Sequence, residues 1–141
     1  MTTRQLSGTV RVQGTDDEWW PFSDEHVDRT FNVNKLLEEG QNVTIWNDLE
    51  VKWGGECRVE VDLAAQRQGD QVTCTGQVRF YEGVTENTND LEDVENFNFL
   101  LLKGDNPLHS VSLYNNELFG GDSANVTFNI DNWFYESPDI L

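Results

Sequence analysis

Carboxylates crowd the turns of this 141-residue chain, and oxygen donors packed that closely suit a hard cation. The strongest cluster lies around Glu82, Glu86, Asp90, Glu92, Asp93 and Glu95, opening with the segment Glu82-Gly83-Val84-Thr85-Glu86-Asn87-Thr88-Asn89-Asp90. Calcium takes roughly six to eight oxygens at about 2.3–2.6 Å, from carboxylates, side-chain amides and backbone carbonyls, and loops bend to supply them. The run offers that mixture, with Gly83 relaxing the backbone at the exit of a strand. A second set stands near the amino terminus: Asp16, Asp17, Glu18, Asp24 and Glu25. The expected ligands are Asp16, Asp17, Asp24, Asp48, Glu82, Glu86, Asn89, Asp90 and Asp93, with calcium as the ion. EF-hand spacing is absent, so clustering alone carries this expectation, against the plainer reading of a solvated acidic rim. Magnesium fits less well, since it prefers few carboxylates and a bound phosphate.

Beside the first acids lie three large aromatics, Trp19, Trp20 and Phe22, with Pro21 forcing an extended approach at Trp20. On a loop tip they would form a ligand-binding surface. They would stack on sugar rings, or sit at a lipid interface while calcium bridges acids to anionic headgroups. The alternative is that Trp19 or Trp20 folds back to plug the end of the fold. Trp46 and Trp133 read as core or groove edge, and Trp53, before Gly54-Gly55, fits either role.

Other chemistries find little support. His26 and His109 are the only imidazoles, and neither stands in a nucleophile or zinc spacing. Phosphate loops and dinucleotide fingerprints are missing, and a glycosidase carboxylate pair is defined by separation in space, which a sequence does not give. No catalytic residue is assigned, and a non-catalytic role is expected. Cys57 and Cys74 fall on the inward parity of adjacent strands. A hairpin turning near Gly69-Asp70 would set Cys74 opposite Leu63 or Asp62, some five or six residues from Cys57 and beyond disulfide reach. Two free buried thiols suit a reducing compartment and, without nearby His or further Cys, make a poor metal site.

A net charge of −17 with only nine Lys and Arg excludes a phosphate-binding surface, so nucleic acid is not an expected partner. The scarcity of Lys resembles the surface of a salt-adapted protein, although the many Asn fit that less well. Self-repulsion of this size calls for divalent cations or high salt to offset it. Eight Phe and five Trp, in regular patterning, argue against disorder. No apolar stretch approaches the roughly 20 residues of a membrane span, and the opening Met1-Thr2-Thr3-Arg4 leaves no room for a secretory segment before the first strand. A cytoplasmic location is expected, unless a leader has been removed.

Alternation positions these residues. Val10 and Val12 oppose Thr9, Arg11 and Gln13, and Val126, Phe128 and Ile130 oppose Thr127, Asn129 and Asp131. Six further runs of this kind, near 27–33, 43–46, 57–63, 72–81, 97–102 and 111–118, bring the expectation to about eight strands. Leu49, Val51 and Trp53 either extend the third strand or form a ninth. Asn34 before Lys35-Leu36-Leu37-Glu38-Glu39 and Gly40 allows one short helix. The expected fold is all-β, a single domain over residues 1–141, an antiparallel two-sheet sandwich. If consecutive strands alternate in direction, connections 14–26, 47–56, 82–95 and 119–124 share one end. That end gathers most of the acids.

An eight-stranded sandwich with acidic loops at one end resembles the calcium-dependent C2 arrangement or a related Greek key, an architectural likeness over the whole chain that no matched motif carries. It implies a binding module whose acidic loops take divalent cations and dock on a second ligand. The alternatives are a carbohydrate-binding module using Trp19, Trp20, Trp53 or Tyr81 as platforms, and a protein-interaction domain.

Overall fold

The computed structural model describes residues 2–17, 24–104, 106–117 and 120–135. They form eight strands: β1 (Thr3–Asp16), β2 (Glu25–Leu37), β3 (Asn42–Trp53), β4 (Cys57–Gln68), β5 (Gln71–Glu82), β6 (Leu91–Leu101), β7 (Leu108–Glu117) and β8 (Gly120–Tyr135). Two antiparallel sheets, ordered β2-β1-β8-β7 and β3-β4-β5-β6, face each other as a sandwich. Consecutive strands within a sheet are ladder neighbours, and β8 closes back onto β1. The connectivity is therefore an up-and-down meander rather than a Greek key, and the C2-like strand order is not found. Alternation specifies that a strand is half-buried but is silent on which strand lies beside it.

The short helix expected after Asn34 is replaced by strand. β2 runs on to Leu37, pairing Lys35 with Leu6 and Leu37 with Arg4, and the chain then turns where Gln41 N donates to Glu38 O. Ladder bonds already formed along β1 outcompete one isolated helical turn, whose nucleation is costly. Leu49, Val51 and Trp53 extend the third strand, across an irregularity between Thr44 and Leu49. There Asp48 takes a φ of 59°, and Arg79 holds both Asp48 (2.5 Å) and Asp62 (2.7 Å). This pairing keeps the Asp62 carboxyl below its usual range, chiefly through the hydrogen bond from Arg79.

With Leu49, Val51 and Trp53 inside β3, the parity count holds for the described strands. The C-terminal ends of β1, β3, β5 and β7 lie at one end of the sandwich, and those of β2, β4 and β6 at the other. Even-numbered positions of β1 and β8 point inward: Leu6, Val10 and Val12 with Val126, Phe128 and Ile130 are fully buried. From the facing sheet come Val59, Val61, Leu63, Val72, Val78 and Phe80. Gly76 lets β4, β5 and Phe97 approach, since a Cβ there would stand 1.9 Å from Asp62 O. The seams between sheets are closed by side chains: Phe31 meets Trp46 edge-on at 6.0 Å, Phe99 stacks on His109 at 4.7 Å, and Asp93 Oδ2 accepts Tyr114 N at 3.0 Å.

Inward parity does not stop where the apolar residues do. At the end away from the acidic turns, Arg4 (2% exposed), Arg67 (1%) and Asn132 (0%) point into the interior. Arg67 donates to Thr2 O, Leu37 O and Gly69 O, each at 2.7 Å, and Arg4 donates to both the side chain and the carbonyl of Asn132 at 3.0 Å. Asn132 in turn donates to Asp70 O and Leu101 O. These bonds tie both sheets together. Replacing Arg67 by Met should orphan several buried carbonyls and cost about 3 kcal/mol in urea denaturation. Glu39→Gln, touching the same guanidinium from the surface at 3.7 Å, should cost less than about 1 kcal/mol.

Candidate metal centre

At the opposite end the same parity delivers carboxylates. On β1 the inward series Val10, Val12, Gly14 ends in Asp16, and on β8 the series Phe128, Val126, Ala124 ends in Asp122. Both acids are buried, at 2% and 4% exposure. The opposite sheet contributes Cys57 from the start of β4 and its ladder partner Glu82 from the end of β5, with Glu56 just before β4. Ligand atoms of Asp16, Glu56 and Glu82 all lie within 4.8 Å of one another, as do those of Asp16, Cys57 and Asp122. Asp16 belongs to both groups and is the hub.

Backbone detail makes this approach feasible. Gly54, at φ 67°, brings the β3–β4 turn against the carboxylates, and a Cβ on it would sit 2.5 Å from Asp16 Oδ2 and 2.8 Å from Glu25 Oε2. One step inward, Trp53 covers Gly14, where a Cβ would collide with the indole at 2.5 Å, and stacks on Phe80 at 5.8 Å. Asp17 clips β1 to β8: its N–H donates to Asp122 Oδ1 at 2.7 Å, and its own Oδ2 accepts Gly121 N at 3.4 Å. Asn115 Nδ2 donates to Glu82 Oε2.

Of the expected ligands, Asp16 and Glu82 are brought together, and Asp17 stands at their edge. The others serve elsewhere. Asp48 sits in the β3 irregularity with Arg79. Glu86 accepts Gly55 N at 3.1 Å, and its carbonyl accepts Arg58 Nη1 at 2.5 Å, so this residue pins loop 83–90 to the β3–β4 turn. Asp90 accepts Glu82 N through its carbonyl, and Asp93 bonds Val94 N and Tyr114 N. Asn89 and Asp24 are exposed. The segment from Glu82 to Asp90 is therefore mostly a self-bonded loop, with Lys52 reaching Asn87 at 2.9 Å. Trp19, Trp20 and Phe22 lie outside the described residues. Of the other proposed platforms, Trp53 is buried and Tyr81 is covered by the Arg58 guanidinium at 4.3 Å.

Sequence reasoning passed over Glu25, Glu56 and Asp122 as ligands. Asp122 carried a usable signal: it continues the inward alternation of β8 two residues past Ala124, as Asp16 does two past Gly14. Glu56 and Glu25 carried none, because the turn and the pairing that aim them are tertiary.

The cluster fixes the state of its thiol. Burial pushes Cys57 up, and the charges of Asp16, Asp122, Glu82 and Glu56 push it further, so the sulfur stays a neutral thiol. Apart from this one thiol, the side chains gathered here are carboxylates, which are hard oxygen donors. Cys74, pushed up to about 12 by burial, lies opposite Ala65 rather than Leu63 or Asp62, because the β4–β5 turn is only Gly69-Asp70. Eight residues then separate it from Cys57 along β4, roughly 26 Å, and both cysteines are free.

No protein-family model matches this chain, and comparison with curated proteins and with solved structures finds no match.

The thiols give a pH prediction. Folding raises both from an ordinary value near 9, so the unfolded chain releases two protons that the folded chain keeps. Their contribution to stability is complete below that value and is lost progressively as pH rises from it toward the raised folded values. Urea midpoints should therefore decline more steeply from about pH 8.5 upward in the native protein than in the Cys57→Ala/Cys74→Ala variant. Parallel curves would show that the thiols titrate alike in both states.

Proposed function

We propose that the protein is a non-catalytic binding domain whose acidic end takes a divalent cation, calcium by preference, at a centre built on Asp16 with Glu56, Glu82 and Asp122. The observation that carries this reading is the convergence of carboxylates on buried Asp16: half-buried Glu56 and Glu82 from the facing sheet lie within 4.8 Å of it and of each other, and buried Asp122 of its own sheet lies within 4.8 Å of it. Two oxygens on opposite sides of one calcium stand roughly 5 Å apart, twice the usual calcium–oxygen distance, so the spacing matches a shared ion. Electrostatics favours the same occupant. Two ionised carboxylates 4.8 Å apart repel by roughly 3–4 kcal/mol at an effective dielectric of about 20, and a dication among them reverses that sign.

Calcium is preferred over zinc because the gathered donors are carboxylates with a single thiol and no imidazole among them, and over magnesium because they are several carboxylates on separate elements. Glu25, whose Oε2 reaches the same glycine as Asp16, and the Asn115 amide next to Glu82 are available to complete the coordination. In this reading the domain binds and presents rather than transforms a substrate.

Calorimetric titration tests it. Calcium should bind the EDTA-stripped protein with a stoichiometry near one. Asp16→Asn should weaken binding at least tenfold while stabilising the cation-free protein, because it removes the central repulsive charge. Glu86→Gln should bind within about twofold of the parent. Equal affinities for the parent and Asp16→Asn, or loss confined to Glu86→Gln, would move the site out of the sandwich end and into loop 83–90.

A further inference from the structure

The outer face of the β2-β1-β8-β7 sheet carries a second feature, distinct from the inward carboxylates. Ladder register places His26 (β2), Thr15 (β1), Ser123 (β8) and Tyr114 (β7) in one row across all four strands. The order is ring, small, small, ring. Two tall side chains on the edge strands and two short ones between them leave a trough of about 380 Å³, continued over the next row by Gln13 and Asn125. Ligand clefts in proteins commonly span roughly 300–1,000 Å³. The edge strands stand about 14 Å apart, three strand spacings, wide enough for a ring to lie on the Thr15-Ser123 floor.

The lining mixes polar and apolar surface, and its one carboxylate is neutralised. Asp28 receives both Nε and Nη2 of Arg11, at 2.8 and 2.5 Å, so the trough offers neither an open carboxylate for a cation nor an open guanidinium for an anion. Its remaining groups are hydroxyls, amides and an imidazole, each able to donate or accept. Several are already fixed: Thr15 Oγ1 lies 3.2 Å from His26 Nδ1, Ser112 Oγ donates to Asn125 Oδ1 at 3.0 Å, and Asn125 Nδ2 donates to Thr127 Oγ1 at 3.1 Å. Tyr114 is 56% exposed while its backbone is anchored by Asp93, so it presents a ring on a held strand.

We propose that this trough binds a neutral carbohydrate, its hydroxyls bonded by the Gln13, Thr15, Ser123 and Asn125 side chains and a sugar ring packed against Tyr114. Such a ligand needs donors and acceptors in mixture, an aromatic face and no net charge opposite it, and the trough supplies all three. An apolar ligand would strand the hydroxyls and amides, and an anion would meet a strongly acidic protein.

The test is a screen of the full chain, in EDTA so that the acidic end plays no part, against a printed array of neutral glycans, with hits titrated by amide NMR. At least one neutral glycan should bind saturably and shift the Thr15, Ser123 and Asn125 amides. Tyr114→Ala should weaken it about tenfold, the size expected for loss of a ring contact. Ser123→Trp, which fills the trough floor, should abolish binding, with thermal unfolding confirming that each variant is folded. The proposal is overturned if no neutral glycan binds, if the shifts fall elsewhere, or if folded Ser123→Trp binds as tightly as the parent.

Discussion

Everything at the acidic end follows from one electrostatic constraint: carboxylates from three strands and a turn gather around Asp16, two of them buried, and their mutual repulsion must be met. The buried guanidiniums of Arg4 and Arg67 cannot meet it. Asp16 and Arg4 lie twelve residues apart on β1, roughly 40 Å, where even a buried pair at an effective dielectric of about 20 interacts by only about 0.4 kcal/mol. The two ends of the sandwich are thus independent. One is filled by cations whose donors are met by backbone carbonyls and the side chains of Thr2 and Asn132, and the other by carboxylates, whose charge the proposed cation would offset.

This asymmetry also explains the use of the remaining charges. Arg11, Arg58 and Arg79 lie along the outer faces, where Asp28, Glu60, Asp48 and Asp62 are within ion-pair distance. With few basic residues available, each supports a strand pairing or loop rather than the acidic end. Loop 83–90 is held by such contacts from Lys52 and Arg58 and follows directly on Glu82.

Much of the fold was legible because period-two alternation is written directly in side-chain type. Val10 and Val12 with Val126, Phe128 and Ile130 announced their inward faces, and strand parity placed the acidic turns at one end. Strand order was not legible, since the ladder between β1 and β8 joins residues more than 100 positions apart in sequence. The helix expected at Lys35–Glu39 failed because local capping signals could not weigh the ladder waiting along β1. For the centre, local density of acids misled: Glu86, Asp90 and Asp93 cluster in sequence yet bond separately, whereas Asp16, Glu82 and Asp122 are distant in sequence and meet through inward parity.

The most direct measurement is thermal unfolding in EDTA, then in millimolar calcium, with magnesium at equal ionic strength as control. A cation bound only by the folded state must raise its stability, by about 2.7 kcal/mol at a hundredfold excess over the dissociation constant. A calcium centre at Asp16 predicts a rise of several degrees that magnesium does not reproduce and that Asp16→Asn removes. Equal small shifts from both ions, unchanged in Asp16→Asn, would contradict it and reduce the acidic end to a screened rim.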